Sequence, residues 1–437
     1  MRKLRFDTIV LGAGMVGVCV AAHLQARGRS VALVDIKQAG EETSFGNAGL
    51  IQREGVYPYA FPRQFDALMR YARNNALDVR YHPEMLIKLA PFLWRYWRNS
   101  HPDNHARIAR SYATLIQHSV TEHRALARQA NASALLKPSG WMRVFRTAKR
   151  YDTELQAVER WKREFGVAYT ALDSPTLQRV EPNLDAALLG AIHYTDADAC
   201  SDPGNLVKAY AQHFAALGGQ FFLGDARSLA QRPDGWSVKI AAGQDNSGDS
   251  GDLPTPSAMQ DAPAEITASA AVIALGPWAD QLTRRLGYDF PLAVKRGYHM
   301  HYATAPQAHL DHPVLDAERG YLLAPMTRGI RLTTGIEFGP RDGKKTPLQL
   351  AAVEPIARTL FPLTDRLDPE PWMGRRPCTA DMLPIIGPAP RHPGLWFSFG
   401  HAHHGLTLGA VTGRLVAEMM TGQATLVDPS PFRPERF

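Results

Sequence analysis

Three histidines fall within four positions of the segment GHAHHGLTLG, residues 400–409. Imidazole is the commonest metal ligand in proteins, so His401, His403 and His404 first suggest a metal site. Such a site needs further ligands at suitable positions, and the sequence offers none nearby. We therefore expect no metal here, and the three rings need another explanation.

A glycine-rich turn near the start of the chain indicates a dinucleotide. Gly12, Gly14 and Gly17 form GxGxxG between a predicted strand, FDTIVL, and a predicted helix, VCVAAHLQARG. A turn without Cβ atoms lets backbone amides and the positive end of the helix face a pyrophosphate. Asp35 ends the next predicted strand, where its carboxylate can accept a hydrogen bond from a ribose hydroxyl and would repel a ribose phosphate. NAD and FAD both fit this pattern, and NADP fits it least.

The remaining pattern predicts an α/β protein with two sheets. The βαβ unit of the first 35 residues begins a parallel sheet. Helical spacing of apolar residues dominates from about residue 60 to 135, and SDPGNLVKAYAQHFAALGG carries helix start and stop signals. KRGYHMHYA, GYLLAPM and IRLTTGIEF alternate apolar and polar residues, which predicts a second, antiparallel sheet.

The predicted domains are discontinuous. Residues 1–75, 150–285 and 370–437 are expected to form a Rossmann-like cofactor domain, and residues 76–149 and 286–369 an α+β substrate domain. Residues 241–265 are rich in Gly, Ser, Asp and Pro, which predicts a flexible hairpin loop.

Composition disfavours several classes of protein. The chain has 437 residues with 45% apolar content, enough for a large core. Lys and Arg exceed Asp and Glu by only 49 to 42 without a dense basic block, which disfavours nucleic-acid binding. The cysteines, Cys19, Cys200 and Cys378, lie too far apart for a disulfide framework or thiolate site. No export signal and no transmembrane helix are expected, so we predict a cytoplasmic protein.

Five ordered segments give the chain a specific resemblance. They are the βαβ unit, ETSFGNAG (42–49), ALGPWA (274–279), WMGRRPCTADMLPIIG (372–387) and GHAHHGLTLG. In this order they resemble the glycine oxidase and D-amino acid dehydrogenase family of FAD-dependent amine oxidoreductases. The resemblance implies a FAD-binding domain of the glutathione reductase type with an inserted substrate domain, and FAD as the cofactor.

The resemblance also implies where FAD is held. The residues concerned are Gly12, Gly14 and Gly17 at the pyrophosphate, Asp35 at the adenosine ribose, Thr43, Ser44, Asn47, Ala48, Gly49 and Leu50 at the phosphates and flavin edge, Ala226 at the adenine, and Gly276, Gly374, Gly400, His404, Gly405, Leu406 and Thr407 beside the cofactor. GHAHHGLTLG would wrap the isoalloxazine, with a helix start facing flavin N1 and the C2 carbonyl. That placement would stabilise the anion of the reduced ring.

Four residues are expected at the substrate. By resemblance, Arg376 binds the substrate carboxylate through its planar fork, with Arg375 as the alternative, and the Tyr321 hydroxyl binds the same carboxylate. His403 stands where relatives carry a polar or cationic residue, although a ring packed on the flavin edge is the other interpretation. Glu337 departs from the family pattern; it would accept a bond from the substrate, or lie in solvent at a strand end.

The implied reaction is hydride transfer from the Cα of a D-amino or imino acid to flavin N5. The RGYH and GIEF pair resembles dehydrogenases of D-hydroxyproline, which predicts a substrate of the D-proline or hydroxy-D-proline type. Tyr298 and His299 project to opposite faces of one strand, so only one can face the site. The alternatives are a glycine- or sarcosine-type amine oxidase that uses oxygen, a non-catalytic FAD-binding subunit, and an NAD-dependent dehydrogenase.

The electron acceptor is expected to be either oxygen or a quinone of the respiratory chain. In MLIKLAPFLWRYWRNS, Trp94, Tyr96 and Trp97 alternate with Arg95 and Arg98. This pattern is typical of peripheral contact with the inner face of a membrane, and more often of a core helix with buried aromatics.

Overall fold

The structure is a computed structural model that describes residues 4–241 and 264–437. The predicted hairpin loop at 241–265 therefore lies almost entirely outside the described residues. The helices are α1 Met15–Gln25, α2 Phe65–Ala72, α3 Pro83–Lys88, α4 Ala90–Asn99, α5 Pro102–Ile116, α6 Ser119–Gln129, α7 Ala148–Phe165, α8 Ser174–Val180, α9 Pro203–Ala216, α10 Ala279–Arg285, α11 Leu348–Leu360 and α12 Gly405–Met420.

The strands are interspersed with these helices along the chain, and the mixture confirms the predicted α/β class. They are β1 Leu4–Leu11, β2 Val31–Asp35, β3 Leu50–Ile51, β4 Val79–Tyr81, β5 Leu136–Lys137, β6 Trp141–Phe145, β7 Tyr169–Asp173, β8 Gly190–Tyr194, β9 Asp198–Cys200, β10 Gln220–Leu223, β11 Ala230–Arg232, β12 Gly235–Ile240, β13 Ala264–Ile273, β14 Leu292–Thr304, β15 Val314–Asp316, β16 Tyr321–Met326, β17 Gly329–Thr333, β18 Ile336–Phe338, β19 Leu363–Arg366, β20 Trp372–Thr379, β21 Ile385–Pro388 and β22 Leu395–Phe399.

The first sheet has a parallel centre. Its order is β10-β2-β1-β13-β12-β11, and β22 pairs with β13 while β21 pairs with β22. Ile9, Val10 and Leu11 are completely buried, as expected for a parallel strand covered on both faces. Helix α12 packs on α1 so closely that a Cβ on Gly413 would lie 2.7 Å from the Cβ of Cys19. The two ends of the chain therefore meet in one layer.

The second sheet is mainly antiparallel, in the order β4-β18-β14-β17-β16-β15-β6-β8-β7, and both β19 and β20 pair with β14. The predicted strand IRLTTGIEF divides here into β17 and β18. It divides because the chain changes partner: the Thr334 amide donates to Tyr298, whereas the Ile336 amide donates to Asp78. Between them a Cβ on Gly335 would lie 2.0 Å from the Asp78 carbonyl oxygen, so a side chain there would prevent this approach.

Sheet membership differs from the predicted domains at three strands. Strands β7 and β8 lie within 150–285 and β20 lies within 370–437, yet all three belong to the second sheet. A third, small sheet of β3, β9 and β5 connects regions of the chain that are far apart in sequence. The domain bounds remain a prediction.

Helices α2 to α6 lie between β3 and β5 in the chain, with β4 among them. Helix α4 turns Phe92 and Tyr96 inward, whereas the Trp94 side chain is 59% exposed and stacks on Trp97 with ring centres 5.2 Å apart. The core-helix interpretation is therefore confirmed for Phe92 and Tyr96, and the membrane contact stays a prediction. Within residues 4–241 and 264–437, no helix has the length and hydropathy needed to cross a bilayer.

Candidate active site

A cavity of about 1040 Å³ lies between the carboxyl ends of β1, β2 and β13 and the second sheet. Most of the residues predicted from the sequence line it. They are Gly12, Gly14, Asp35, Thr43, Ser44, Asn47, Ala48, Leu50, Ala226, Gly276, Gly374, Gly405 and Leu406 among the cofactor residues, and Arg376, Tyr321 and His403 among the substrate residues. Six predicted residues lie behind this lining: Gly17, Gly49, Gly400, His404, Thr407 and Glu337.

The glycine turn has the geometry that a dinucleotide requires. Gly12 has φ +108°, and a Cβ there would lie 2.5 Å from the Ala274 carbonyl oxygen. Gly17 does not line the cavity, but its Cβ would lie 1.8 Å from the Gly12 oxygen, so it lets α1 begin directly against the turn. Asp35 accepts a hydrogen bond of 2.6 Å from the Ala13 amide, and burial raises the pKa of its carboxyl. These residues fit a pyrophosphate and its ribose.

The loop ETSFGNAG is held in place from behind. A Cβ on Gly46 would lie 2.0 Å from the Trp372 ring, which packs directly on this glycine. Arg331 donates hydrogen bonds to the carbonyl oxygens of Phe45 and Asn47. Because Ser44 in turn accepts a hydrogen bond from the Met15 amide at the start of α1, these contacts fix the loop against the glycine turn.

Arg331 belongs to a buried cluster that looks like a metal site. Ligand atoms of His299, His301 and Asp368 lie within 4.8 Å of one another. However, Arg331 Nε donates to His301 Nε2 at 3.0 Å, and His301 Nδ1 lies 2.8 Å from Asp368. His301 is therefore the Nδ1–H tautomer that bridges an arginine and an aspartate, and the guanidinium would repel a divalent cation. We assign no metal to it.

The three histidines of GHAHHGLTLG have different partners. His404 shares hydrogen bonds with Tyr112, at 2.7 Å, and with Gln52, at 2.8 Å. His401 Nε2 lies 3.2 Å from the Thr412 hydroxyl. His401 and His403 line the cavity, whereas His404 does not, and these separate surroundings explain the cluster without a metal.

His403 and the start of α12 present polar groups to the cavity. Burial, with Arg376 and then Lys295 nearby, holds the pKa of His403 well below its ordinary value, so the ring is neutral. Its Nδ1 atom is buried without a hydrogen-bond partner in the described part of the chain. Helix α12 starts at Gly405 with no side-chain cap, which leaves amides free to stabilise negative charge.

Arg376 reaches the cavity by passing over Gly297 of β14, a position without a side chain. In the pairing of β14 with β20, Gly297 opposes Gly374, and a Cβ on Gly297 would lie 2.6 Å from Arg376 Nη2. Arg376 Nη1 donates to the Gly335 carbonyl oxygen at 2.8 Å, at the break between β17 and β18. Among the described residues it has no carboxylate partner. Arg375 instead donates to a backbone carbonyl and lies 4.0 Å from Glu42.

Tyr321 and Glu337 differ in what they offer a ligand. The Tyr321 hydroxyl is buried and has no hydrogen-bond partner in the described residues. Glu337 is 4% exposed and already accepts hydrogen bonds from Arg296 Nε at 2.7 Å and from the Tyr298 hydroxyl at 2.8 Å. The Glu337 carboxylate is therefore neither exposed to solvent nor directed into the cavity. Of Tyr298 and His299, only Tyr298 lines the cavity.

Sequence reasoning missed Lys295, Gly297 and Arg331. Lys295 and Gly297 line the cavity, and Arg331 supports it. The sequence held a signal for two of them, since a charged residue on the buried face of an apolar strand is uncommon and needs a partner. Lys295 and Arg331 both lie on such strands.

Comparison with known proteins agrees with this geometry. A family profile described as FAD dependent oxidoreductase matches residues 7–419. The chain belongs to the FAD-dependent oxidoreductase family. The resemblance noted in the sequence is thereby confirmed, as are FAD as the cofactor and an oxidoreductase as the class of enzyme.

Individual members of the family resemble this FAD-dependent oxidoreductase over almost its whole length. A D-amino-acid oxidase of Bradyrhizobium diazoefficiens is 28% identical over 98% of both chains. A D-amino acid dehydrogenase of Dechloromonas aromatica is 27% identical over 95% of this chain and 97% of that one. The crystal structure of glycine oxidase from Geobacillus kaustophilus has a TM-score of 0.73, with 21% identity and 99% coverage of both chains. This last likeness shows that the fold is shared.

The buried histidines predict a loss of stability in acid. Burial lowers the pKa of His401 to about 3 and those of His404 and His123 to about 4. In the unfolded chain the same rings bind a proton below about pH 6.5. We expect their contribution to stability to be complete above about pH 6.5 and to fall by up to about 1.4 kcal/mol per pH unit for each ring toward about pH 4.

Urea unfolding at a series of pH values measures this slope. His404→Asn should make the slope shallower, because one proton-linked group is removed. The matched control is His309→Asn, at an exposed position, which should leave the slope as it is. Equal slopes in both variants would contradict the assignment.

Arg331→Met should weaken FAD binding by about tenfold or more, because hydrogen bonds from a charged donor to the loop at Phe45 and Asn47 are lost. The measurement is the ratio of flavin absorbance to protein after gel filtration. Arg319→Met, at an exposed position, is the control and should retain its flavin. Full flavin retention in Arg331→Met would show that the loop holds without this arginine.

Proposed function

We propose that the chain dehydrogenates an α-amino or α-imino carboxylate, of the D series, at its Cα. The observation that carries the proposal is a partly buried arginine, Arg376, which lines the cavity and has no carboxylate partner among the described residues. A guanidinium that is shielded from water and lacks a carboxylate partner is unfavourable until an anion binds. The names of the relatives in Bradyrhizobium and Dechloromonas, which act on D-amino acids, support this class of substrate.

In this proposal the protein orients the substrate. Arg376 and the Tyr321 hydroxyl bind the α-carboxylate, and His403 Nδ1, another polar atom of the lining without a partner, accepts a hydrogen bond from the amine. FAD, when bound, would supply the chemistry as the acceptor of a hydride from Cα. The amides at the start of α12 are placed to stabilise negative charge at this end of the cavity. The imine product then leaves and is hydrolysed by water.

Glu337 has a positioning role in this proposal. Its bonds with Arg296 and Tyr298 hold the RGYH and GIEF segments together, behind the cavity lining. Because these side chains bond to one another, the motif that suggested D-proline or hydroxy-D-proline gives little information about the shape of the substrate. That preference remains a prediction.

Anaerobic mixing of the FAD-loaded protein with D-amino acids tests the proposal, because substrate should bleach the flavin. D-proline, cis-4-hydroxy-D-proline, D-alanine, glycine and sarcosine separate the dehydrogenase of D-imino acids from the glycine or sarcosine type. Protein that stays oxidised with every amino acid would favour the non-catalytic FAD-binding subunit instead.

Arg376→Lys should raise KM by about a hundredfold, because a bidentate bond to a buried carboxylate is lost. Gly297→Ala should raise KM by about tenfold although Arg376 is not mutated, because the new Cβ at position 297 would displace the Arg376 guanidinium. Steady-state kinetics with the best substrate checks both. Arg375→Lys distinguishes the alternative: a larger effect there than in Arg376→Lys would assign the carboxylate to Arg375.

We also propose that helices α2 to α4, which line the cavity, contact a membrane, where a quinone accepts the electrons. Leu68, Leu86 and Leu93 of α2, α3 and α4 line the cavity. On the outside of the same helices, Trp94 is 59% exposed and Ile87 is 82% exposed. Apolar side chains around a cavity entrance are typical of sites that open toward lipid.

Sedimentation with anionic vesicles tests the membrane contact. Replacing Ile87 and Trp94 together with serine should weaken binding by about tenfold, because two apolar side chains no longer enter the lipid. Leu217→Ser, an exposed leucine beyond the end of α9, is the matched control and should leave binding unchanged. Wild-type protein that stays in the supernatant would favour oxygen as the acceptor.

A further inference from the structure

Two cations, the buried Lys295 and the partly buried Arg376, lie side by side on the wall of the cavity. Lys295 and Arg376 are direct partners in the antiparallel pairing of β14 with β20. Their side chains therefore leave the same face of the sheet, with Cβ atoms about 5 Å apart. Lys295 is 1% exposed, and both residues line the cavity. Like charges directly opposite each other destabilise a sheet, so stability does not explain this pair.

The surroundings of Lys295 hold its ammonium group without supplying a negative charge. The ammonium lies 4.2 Å from the centre of the Tyr96 ring and 5.7 Å from that of Phe338. The Tyr96 hydroxyl donates its own hydrogen to the Tyr59 carbonyl oxygen. Cys378 is nearby, but burial raises the pKa of its thiol, which therefore stays neutral.

The carboxylates that line the cavity are already occupied. Their partners are Lys37 for Glu42, Arg70 for Asp78, Arg227 for Asp225, Arg341 for Asp342 and the Ala13 amide for Asp35. In the ranges 4–241 and 264–437, neither Lys295 nor Arg376 forms an ion pair with a carboxylate. The wall therefore carries two positive charges that a ligand must balance.

We propose that Lys295 binds a second anionic group on the substrate, so that the chain acts on amino acids with a side-chain carboxylate, such as D-aspartate and D-glutamate. The inference rests on the proposed function, in which Arg376 binds the α-carboxylate. Arg376 extends over Gly297 toward Gly335, whereas Lys295 extends toward Tyr96. The two charged groups thus have different neighbours, which suits two carboxylates on one molecule better than a single shared one.

This inference and the D-proline prediction lead to different substrates, so one panel separates them. The FAD-loaded protein is mixed anaerobically with D-aspartate, D-asparagine, D-glutamate, D-glutamine and D-proline, and the rate of flavin bleaching is followed against concentration. Each acid should exceed its amide by at least about tenfold in specificity, since the amide keeps the shape and removes the charge. Amides equal to the acids, or D-proline ahead of all of them, would overturn the inference.

Variants at Lys295 show whether the charge is responsible. Lys295→Met should lose about tenfold for D-aspartate and keep D-asparagine within about twofold, and Lys295→Arg should restore the preference for the acid. Lys137→Met, at an exposed position on β5, is the matched control. The melting temperature of ligand-free Lys295→Met should stay the same or rise. A lower melting temperature with the acid preference retained would make Lys295 a packing residue only.

Calorimetry distinguishes failure of this inference from failure of the proposed function. Succinate carries two carboxylates and no amine, and succinamate replaces one of them with an amide. If no amino acid bleaches the flavin, the proposed function fails. Tighter binding of succinate than of succinamate, lost in Lys295→Met, would still support a site for two anionic groups. Equal binding of the two compounds would refute it.

Discussion

The register between β14 and β20 is the constraint on which the rest of the site depends. It sets Gly297 opposite Gly374 and Lys295 opposite Arg376. The bare backbone at Gly297 gives the guanidinium its path into the cavity. The end of β20 also pairs with the histidine segment through the backbone. Cys378 and His401 form an isolated β-bridge, and the Ala402 amide donates to the Pro377 carbonyl oxygen. A slip of one residue would turn every one of these side chains to the other face of the sheet.

Electrostatic balance follows from this register. The strand pair delivers positive charge to a cavity whose lining carboxylates are already occupied by other partners. The neighbouring histidine, His403, cannot add to that charge, because burial and the two cations keep its pKa low. The start of α12 contributes further positive potential. The wall thus favours negatively charged groups, and both the carboxylate of an amino acid and the reduced flavin carry negative charge.

The sequence predicted the parts of the structure that depend on local pattern. The βαβ unit with Gly12 and Asp35, the helix start at Asp202, and the second sheet all follow from periodicity and turn residues. What it could not predict depends on contacts between distant segments. The division of IRLTTGIEF depends on Asp78, and the pairing of Glu337 with Arg296 depends on the register of β14 with β18. Arg331 likewise supports a loop almost three hundred positions earlier in the chain.

Helices α2 to α4 have one side on the cavity and the other in solvent, with no residue of α2 or α3 fully buried. Elements with so few buried contacts are the first to open locally. A ligand in the cavity and a partner on the outer surface would then both order the same three helices, so the free-energy cost of ordering would be divided between the two binding events. Thermodynamic linkage makes this relation reciprocal. If the ligand raises the affinity for the partner by some factor, the partner raises the affinity for the ligand by the same factor.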